Sequence, residues 1–296
     1  MPPRLAALVA VVLWGLSFVA TRIVLRELAP VPLVFARFGL GTALLVGVLA
    51  SRGRPLVPPR REWPTLALLG FAGIFVHQLL QSHALTLTTA VRTGWLIGLV
   101  PIWSALLAAV FLRERFGVAK VAGLALGFAG AVLVVTRGRL APGLLALPGT
   151  RGDLLILAST VNWAVYTVLG RGTLERLGSL RATAGSMFLG WLMLGLLMLD
   201  PRAWQGYAAL SPAGWAALLF LGLGPAGLGY LLWFGALERI ETSRVAAFLY
   251  LEPLVTLAAA VAVLGEEVGV ATVAGGLLVL AGVALVQRAP TAATRA

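Results

Sequence analysis

Long apolar runs broken by short polar gaps extend the length of the chain. A helix crosses a membrane in roughly 20 apolar residues, and ten runs fit that length. They are Leu5–Leu25, Pro32–Ser51, Pro64–Leu85, Val91–Leu112, Val118–Thr136, Leu154–Gly170, Leu180–Leu199, Pro212–Phe234, Arg244–Gly265 and Val268–Gln287. Proline marks many of the breaks: Pro30 and Pro32, Pro55, Pro58 and Pro59, Pro142 and Pro148, Pro201 and Pro212. The longest polar gaps are Arg52–Trp63 and Arg137–Arg151. The first run has the positive start of a signal peptide but no convincing small-residue cleavage site, so a retained helix is expected.

The pattern repeats. Shifted by 152 residues, Leu69–Val134 lies on Leu221–Val286 without a gap, with 23 identities in 66 positions. Pro101 falls on Pro253, Glu114 on Glu266, Gly123 on Gly275, Gly130 on Gly282 and Arg92 on Arg244. A shift of 149 puts Trp14 on Trp163 and Arg22 on Arg171. Two homologous halves are expected: 1–136 and 152–288, joined by a loop at 137–151 and followed by a tail at 289–296. Five runs per half is an odd number, so the second half enters the membrane from the opposite side. An inverted repeat of that kind is characteristic of secondary transporters. The fold class expected is therefore an all-α polytopic membrane protein, two inverted five-helix repeats around a central cavity.

Composition agrees. The chain is 60% hydrophobic and 11% charged, with mean hydropathy +0.97; soluble domains carry about 25% charged residues. It has no cysteine, which excludes disulfides, thiolate metal sites and thiol catalysis. The net charge of +12 is spread through the gaps between apolar runs, with no basic patch interleaved with aromatics, so nucleic acid is not an expected partner. The lipid bilayer is. With the N-terminus inside, 15 basic residues fall on the cytoplasmic side and 7 outside, which orients both termini to the cytoplasm of the cell (inner) membrane. The loop at Arg137–Arg151 is a mild exception.

The first run carries Trp14-Gly15-Leu16-Ser17-Phe18 and the second Ala36-Arg37-Phe38. Ala84-Leu85 leads through Pro101 to Glu114, then Gly123 and Gly130; the second half carries Leu251-Glu252-Pro253 and Leu264-Gly265-Glu266. In order, spacing and duplication these resemble the EamA-like branch of the drug/metabolite transporter superfamily, over nearly the whole chain. The resemblance implies ten helices with a cavity lined by the first, third, fourth, sixth, eighth and ninth. It implies that the fifth and tenth are scaffold or homodimer contacts. It also implies export of amino acids and related metabolites.

Ionisable groups at membrane depth are costly unless paired or hydrated, so they are functional candidates. Glu252 lies near the middle of the ninth run, and Pro253 removes a backbone donor beside it. It suits binding of a substrate amine or carriage of a proton; it equally suits a protonated acid bonded to a neighbouring helix. Arg37 suits a substrate carboxylate or, on the family pattern, a structural or gating role. In the third run His77, Gln78, Gln81 and His83 gather, and the repeat sets Tyr230 on Gln78 and Trp233 on Gln81. Trp14, Ser17 and Thr21 share one face of the first run; Trp163 and Tyr166 occupy the matching face of the sixth. Cavity candidates are thus Trp14, Ser17, His77, Gln78, Gln81, Trp95, Trp163, Tyr166, Tyr230, Trp233, Tyr250 and Glu252. The competing reading is interhelical bonding and lipid-facing aromatics. Glu252 and His77 are the candidates for proton coupling. Pro101, Pro253, Glu114 and Glu266 recur in both halves and read as structure or gate. The two glutamates are expected to cap the helix starts at Val118 and Val268. Gly123, Gly127 and Gly130 read as helix contacts.

A secondary transporter with a small-molecule substrate follows. There is no G-x-x-x-x-G-K-[ST] loop to bind ATP, and no metal site or cofactor is expected. A multidrug or cation exporter of the same fold is the alternative. A membrane-embedded enzyme lacks the residues it would need, and a channel lacks a recognisable filter.

Overall fold

The computed structural model describes residues 1–87, 96–138, 151–264 and 269–289, and among these every regular element is helical. Eight helices are long and apolar enough to cross a membrane: α1 Pro3–Leu25, α2 Pro30–Ser51, α3 Arg60–Leu87, α5 Val118–Thr136, α6 Arg151–Leu177, α7 Ser179–Leu197, α8 Pro212–Leu237 and α10 Val270–Arg288. Between α3 and α5 lies α4, Val100–Phe111. Between α8 and α10 lies α9, residues 242–264, which is interrupted. Proline starts several helices, at Pro3, Pro30 and Pro212, where its missing N–H costs nothing. The start of α8 is capped by the Ser211 hydroxyl, which accepts from the Gly214 N–H at 3.0 Å.

Eight of the ten expected runs coincide with span-length helices, though less well at their ends, and the start of the expected fourth run, Val91–Leu112, lies outside the described residues. α6 runs two turns beyond the expected Gly170. Its polar end is held by Arg176, whose guanidinium is bidentate on Glu62 at 3.0–3.3 Å. Hydropathy does not register such a helix end. A nine-residue 3-10 helix, Pro201–Ala209, fills what reads as loop.

Three helices depart from α geometry. α3 passes through a π-helical stretch at Phe71–Val76, and α8 through another at Gly222–Gly229. These are repeat-equivalent, since Phe71 shifted by 152 is Leu223. In α9, an α segment Thr242–Ala247 gives way to a 3-10 turn, Phe248–Leu251, before α geometry resumes at Glu252. Pro253 sits in the first turn of that resumed segment, and Pro101 in the first turn of α4. The prolines thus begin helical segments, where they are tolerated, rather than bending continuous ones.

Packing divides the chain into two compact units, each drawing on both sequence halves. The first is Met1–His83 with Leu169–Arg239; the second is Ala84–Val168 with Ile240–Ala296. In the first, glycine lets backbones meet. A Cβ on Gly70 would lie 2.4 Å from Ser186 O, and one on Gly41 3.0 Å from the Ala226 Cβ. In the second, α5 and α10 pair along their glycines. A Cβ on Gly123 would sit 2.8 Å from Gly282 O, and one on Gly275 2.8 Å from Gly130 O. The 152-residue shift turns the first contact into the second. These glycine faces are therefore spent on each other, and the faces of α5 and α10 left exposed carry Val118, Val121, Val270 and Leu277.

Candidate functional site

In the first unit α1, α2, α3 and α8 bring polar and aromatic candidates together. Tyr230 is the hub. Its hydroxyl accepts from Gln78 Nε2 at 3.0 Å. Its ring meets Trp14 edge-on at 5.7 Å and Phe38 edge-on at 5.7 Å. Trp14 also lies 5.0 Å from Trp233. The indole N–H of Trp14 donates to Pro225 O at 3.0 Å. Pro225 lies inside the π-helical stretch, where i→i+5 geometry releases carbonyls from the regular ladder. Ser17 turns its hydroxyl onto Trp14 O at 2.7 Å, so it serves its own helix. Gly229 keeps the Trp14 edge close to α8; a Cβ there would lie 2.9 Å from Nε1.

His77 is buried beside Gln78 at the end of the π stretch, and Gln81 is half-buried one turn on. His83 is exposed, with Nδ1 2.8 Å from Leu79 O, which suits a surface role. Arg37 is buried on α2, its guanidinium 5.5 Å over the Phe38 ring.

The second unit holds the remaining candidates. Trp163 and Tyr166 are buried on α6 and meet edge-on at 5.6 Å. Tyr250 lies in the 3-10 turn of α9, its ring over Gly127 of α5; a Cβ on Gly127 would be 2.5 Å from it. Glu252 is 8% exposed at the point where α geometry resumes. The Thr256 hydroxyl bonds its backbone carbonyl at 3.0 Å, and among the described residues nothing bonds its carboxylate. Trp95 and Glu266 lie outside the described residues.

The expectation that Glu114 caps the helix start at Val118 is overturned. No side chain caps that start. Arg113 ends α4 in the left-handed region, φ 55°, and the Glu114 N–H closes onto Ala108 O. That turn aims Glu114 at α9 instead. Its carboxylate accepts from the Thr242 N–H at 2.7 Å, the Ser243 N–H at 3.3 Å and the Ser243 hydroxyl at 2.5 Å. The chemistry is the expected one, a carboxylate at a helix N-terminus, on a different helix.

Around it lies a charge knot that the sequence reading missed. Lys120 Nζ is 3.0 Å from Glu241 and 3.7 Å from Glu114. Arg244 bonds Glu241 at 2.7 Å, Gln287 O at 2.7 Å and Ala289 O. Gln287 returns a bond to Arg244 O at 2.8 Å. Burial pushes the Glu241 carboxyl up, but hydrogen bonds from Lys120 and Arg244 outweigh it and hold the group below its ordinary value. In the sequence Lys120 and Arg244 stand only among the 15 basic residues of the cytoplasmic side. The signal was the chain's single lysine, standing at the third residue of α5 where the repeat has Thr272.

Comparison with known proteins follows the same lines. The model of the EamA-like transporter family matches residues 2–136 and 150–288. A probable terminal-alkyne amino-acid exporter of Streptantibioticus cattleyicolor is 32% identical over 286 residues, 96% of this chain and 92% of its own. An uncharacterized transporter of Archaeoglobus fulgidus is 31% identical over 94% of this chain and 96% of its own. The aromatic amino acid exporter YddG of Ancylobacter novellus is 28% identical over 91% and 92%. A solved crystal structure shares the fold, with a TM-score of 0.79 over 96% of each chain at 24% identity.

Proposed function

The chain belongs to the EamA-like transporter family, and from that premise we propose that it is a secondary exporter of amino acids or related small amphipathic metabolites, working by alternating access. It is a multi-pass membrane protein and not an enzyme. The observation that carries the reading is the Gln78–Tyr230 hydrogen bond, which joins two repeat-equivalent residues just after two repeat-equivalent π-helical stretches. Two halves with matched irregularities have two nearly equivalent arrangements to exchange, as alternating access requires.

In this reading α4 and α9 complete ten spans, and the halves at 1–136 and 152–288 are inverted. Both termini are cytoplasmic in the cell membrane, on the arginine bias. Trp14, His77, Gln78, Gln81, Tyr230 and Trp233 contact substrate in the first unit. Glu252, buried and without a bonded partner among the described residues, carries the coupling proton in the second, with His77 as the other candidate. Two similar proteins named as amino-acid exporters support the substrate class. A buried acid and an aromatic cluster also suit an organic cation, which is the alternative substrate.

The test is a thermal-shift panel of amino acids and lipophilic cations on purified protein, then counterflow of any ligand found in proteoliposomes. Stabilisation and accelerated exchange by an amino acid support the reading. Exchange of cations alone selects the alternative. Flux without acceleration by substrate on the far side removes the carrier mechanism.

A further inference from the structure

Resting on the proposed export function, we propose that Arg37 is the carboxylate-binding residue of the first unit, so that the transported molecules are carboxylates held by their acid group. Arg37 is 8% exposed. Its Nε is fully buried and bonds nothing, and among the described residues it has no hydrogen bond and no ion pair. Its guanidinium lies 5.5 Å over the Phe38 ring. A guanidinium carries five donors and does not lose its charge in proteins. Burying one without an acceptor is costly.

Among the described residues, the Arg181 Nε is likewise buried and unbonded, but that side chain is only half-buried, whereas two other buried cations are compensated. Lys120 and Arg244 each have carboxylate partners. Arg37 also sits where a ligand would be felt. It lies within electrostatic reach of Tyr230, and the Phe38 ring beneath it packs edge-on against Tyr230. Tyr230 in turn contacts Trp14 and Gln78. A planar fork of donors beside an apolar, aromatic wall fits a carboxylate with a hydrophobic side chain. A carboxylate on the ligand would supply the acceptor that the guanidinium lacks among the described residues.

The test separates the acid group from the amine. Binding of L-phenylalanine, 3-phenylpropanoate, phenethylamine and L-phenylalanine methyl ester is measured on purified protein, with L-leucine, 4-methylpentanoate and isoamylamine as an aliphatic set. Carboxylates are expected to bind at least tenfold more tightly than the matching amine or ester. Arg37→Gln should abolish that ratio, and Arg37→Lys should keep part of it. Amino acids that bind equally well to Arg37→Gln overturn the inference and leave the export reading standing. Acids without an amine that bind through Arg37, while amino acids do not, do the reverse. If no carboxylate binds, or if Arg37→Met lowers the melting temperature as much as Lys120→Met does, Arg37 is structural and the inference falls.

Discussion

The knot around Lys120 and the surroundings of Arg37 handle buried charge in opposite ways. Lys120 is 1% exposed and lies against two carboxylates, Glu241 and Glu114. Arg244 shares Glu241 and reaches two backbone carbonyls. The knot ties the end of α4 and the starts of α5 and α9 to the end of α10, so its charges are spent on architecture. Arg37 is buried in the first unit with no acceptor bonded to its Nε among the described residues. Charge that is paired holds the fold, whereas charge left unpaired has to be explained by something the fold does not contain.

The largest effect that would break this comparison is at Lys120. Removing one partner of a buried ion pair strands the other and costs roughly 3–5 kcal/mol. Lys120→Met should therefore strongly lower the melting temperature in detergent, while Arg37→Met should leave it unchanged or raise it. Acid should act in the same direction as Lys120→Met. Glu241 is held below its ordinary value of 4.5, so its contribution is complete above that pH and fades as pH falls through the lower, folded-state value. Melting temperature against pH should drop on the acid side, and the drop should be smaller in Glu241→Gln.

Next in size is the glycine seam of α5 and α10. A side chain on Gly130 would lie 2.6 Å from Gly275 O and from Val279 N. Overpacking typically costs about 1–3 kcal/mol, so Gly130→Val should destabilise by that much. Gly117 has open space at its Cβ, and Gly117→Ala should be close to neutral. Equal losses in the two variants, measured by thermal unfolding, would remove the seam as a special contact.

The seam was legible in the sequence, because duplicated glycines on one helical face have few other uses. The repeat aligns Gln78 with Tyr230 as a position where the halves differ in chemistry, but it does not say that the two side chains touch. The π-helical stretches were not legible: close backbone contacts at Gly70, Gly190, Gly41 and Gly222 lie beside them, and no local propensity announces them. Nor was the partner of Glu114. Hydropathy fixes which residues enter the membrane, and repeats fix which correspond, but neither says which helix end a carboxylate will face. That was decided by a single left-handed residue, Arg113. Ser17 was legible as a polar position but not in its bonding, since a hydroxyl in a helix readily donates to its own preceding turn.

Glu252 is the acidic counterpart of Arg37, buried and without a bonded side-chain partner among the described residues. If it carries the coupling proton, Glu252→Gln should remove the dependence of exchange on an imposed pH gradient while leaving counterflow at equal pH measurable. A gradient response that survives the substitution would move coupling to His77 or remove it altogether.

The smallest effect is also the most discriminating. Tyr230→Phe deletes the acceptor of the Gln78 bond, and a hydrogen bond of this kind contributes about 0.5–1.5 kcal/mol. Its ring contacts with Trp14 and Phe38 remain. A modest loss of stability alone would mean that Gln78 and Tyr230 merely hold α3 to α8. A loss of substrate affinity of about tenfold, equivalent to 1.4 kcal/mol, with little change in melting temperature would mean that the bond orders a surface the substrate uses. The two outcomes separate architecture from function at the point where the halves of the chain meet, as Lys120→Met and Arg37→Met do for the buried charges.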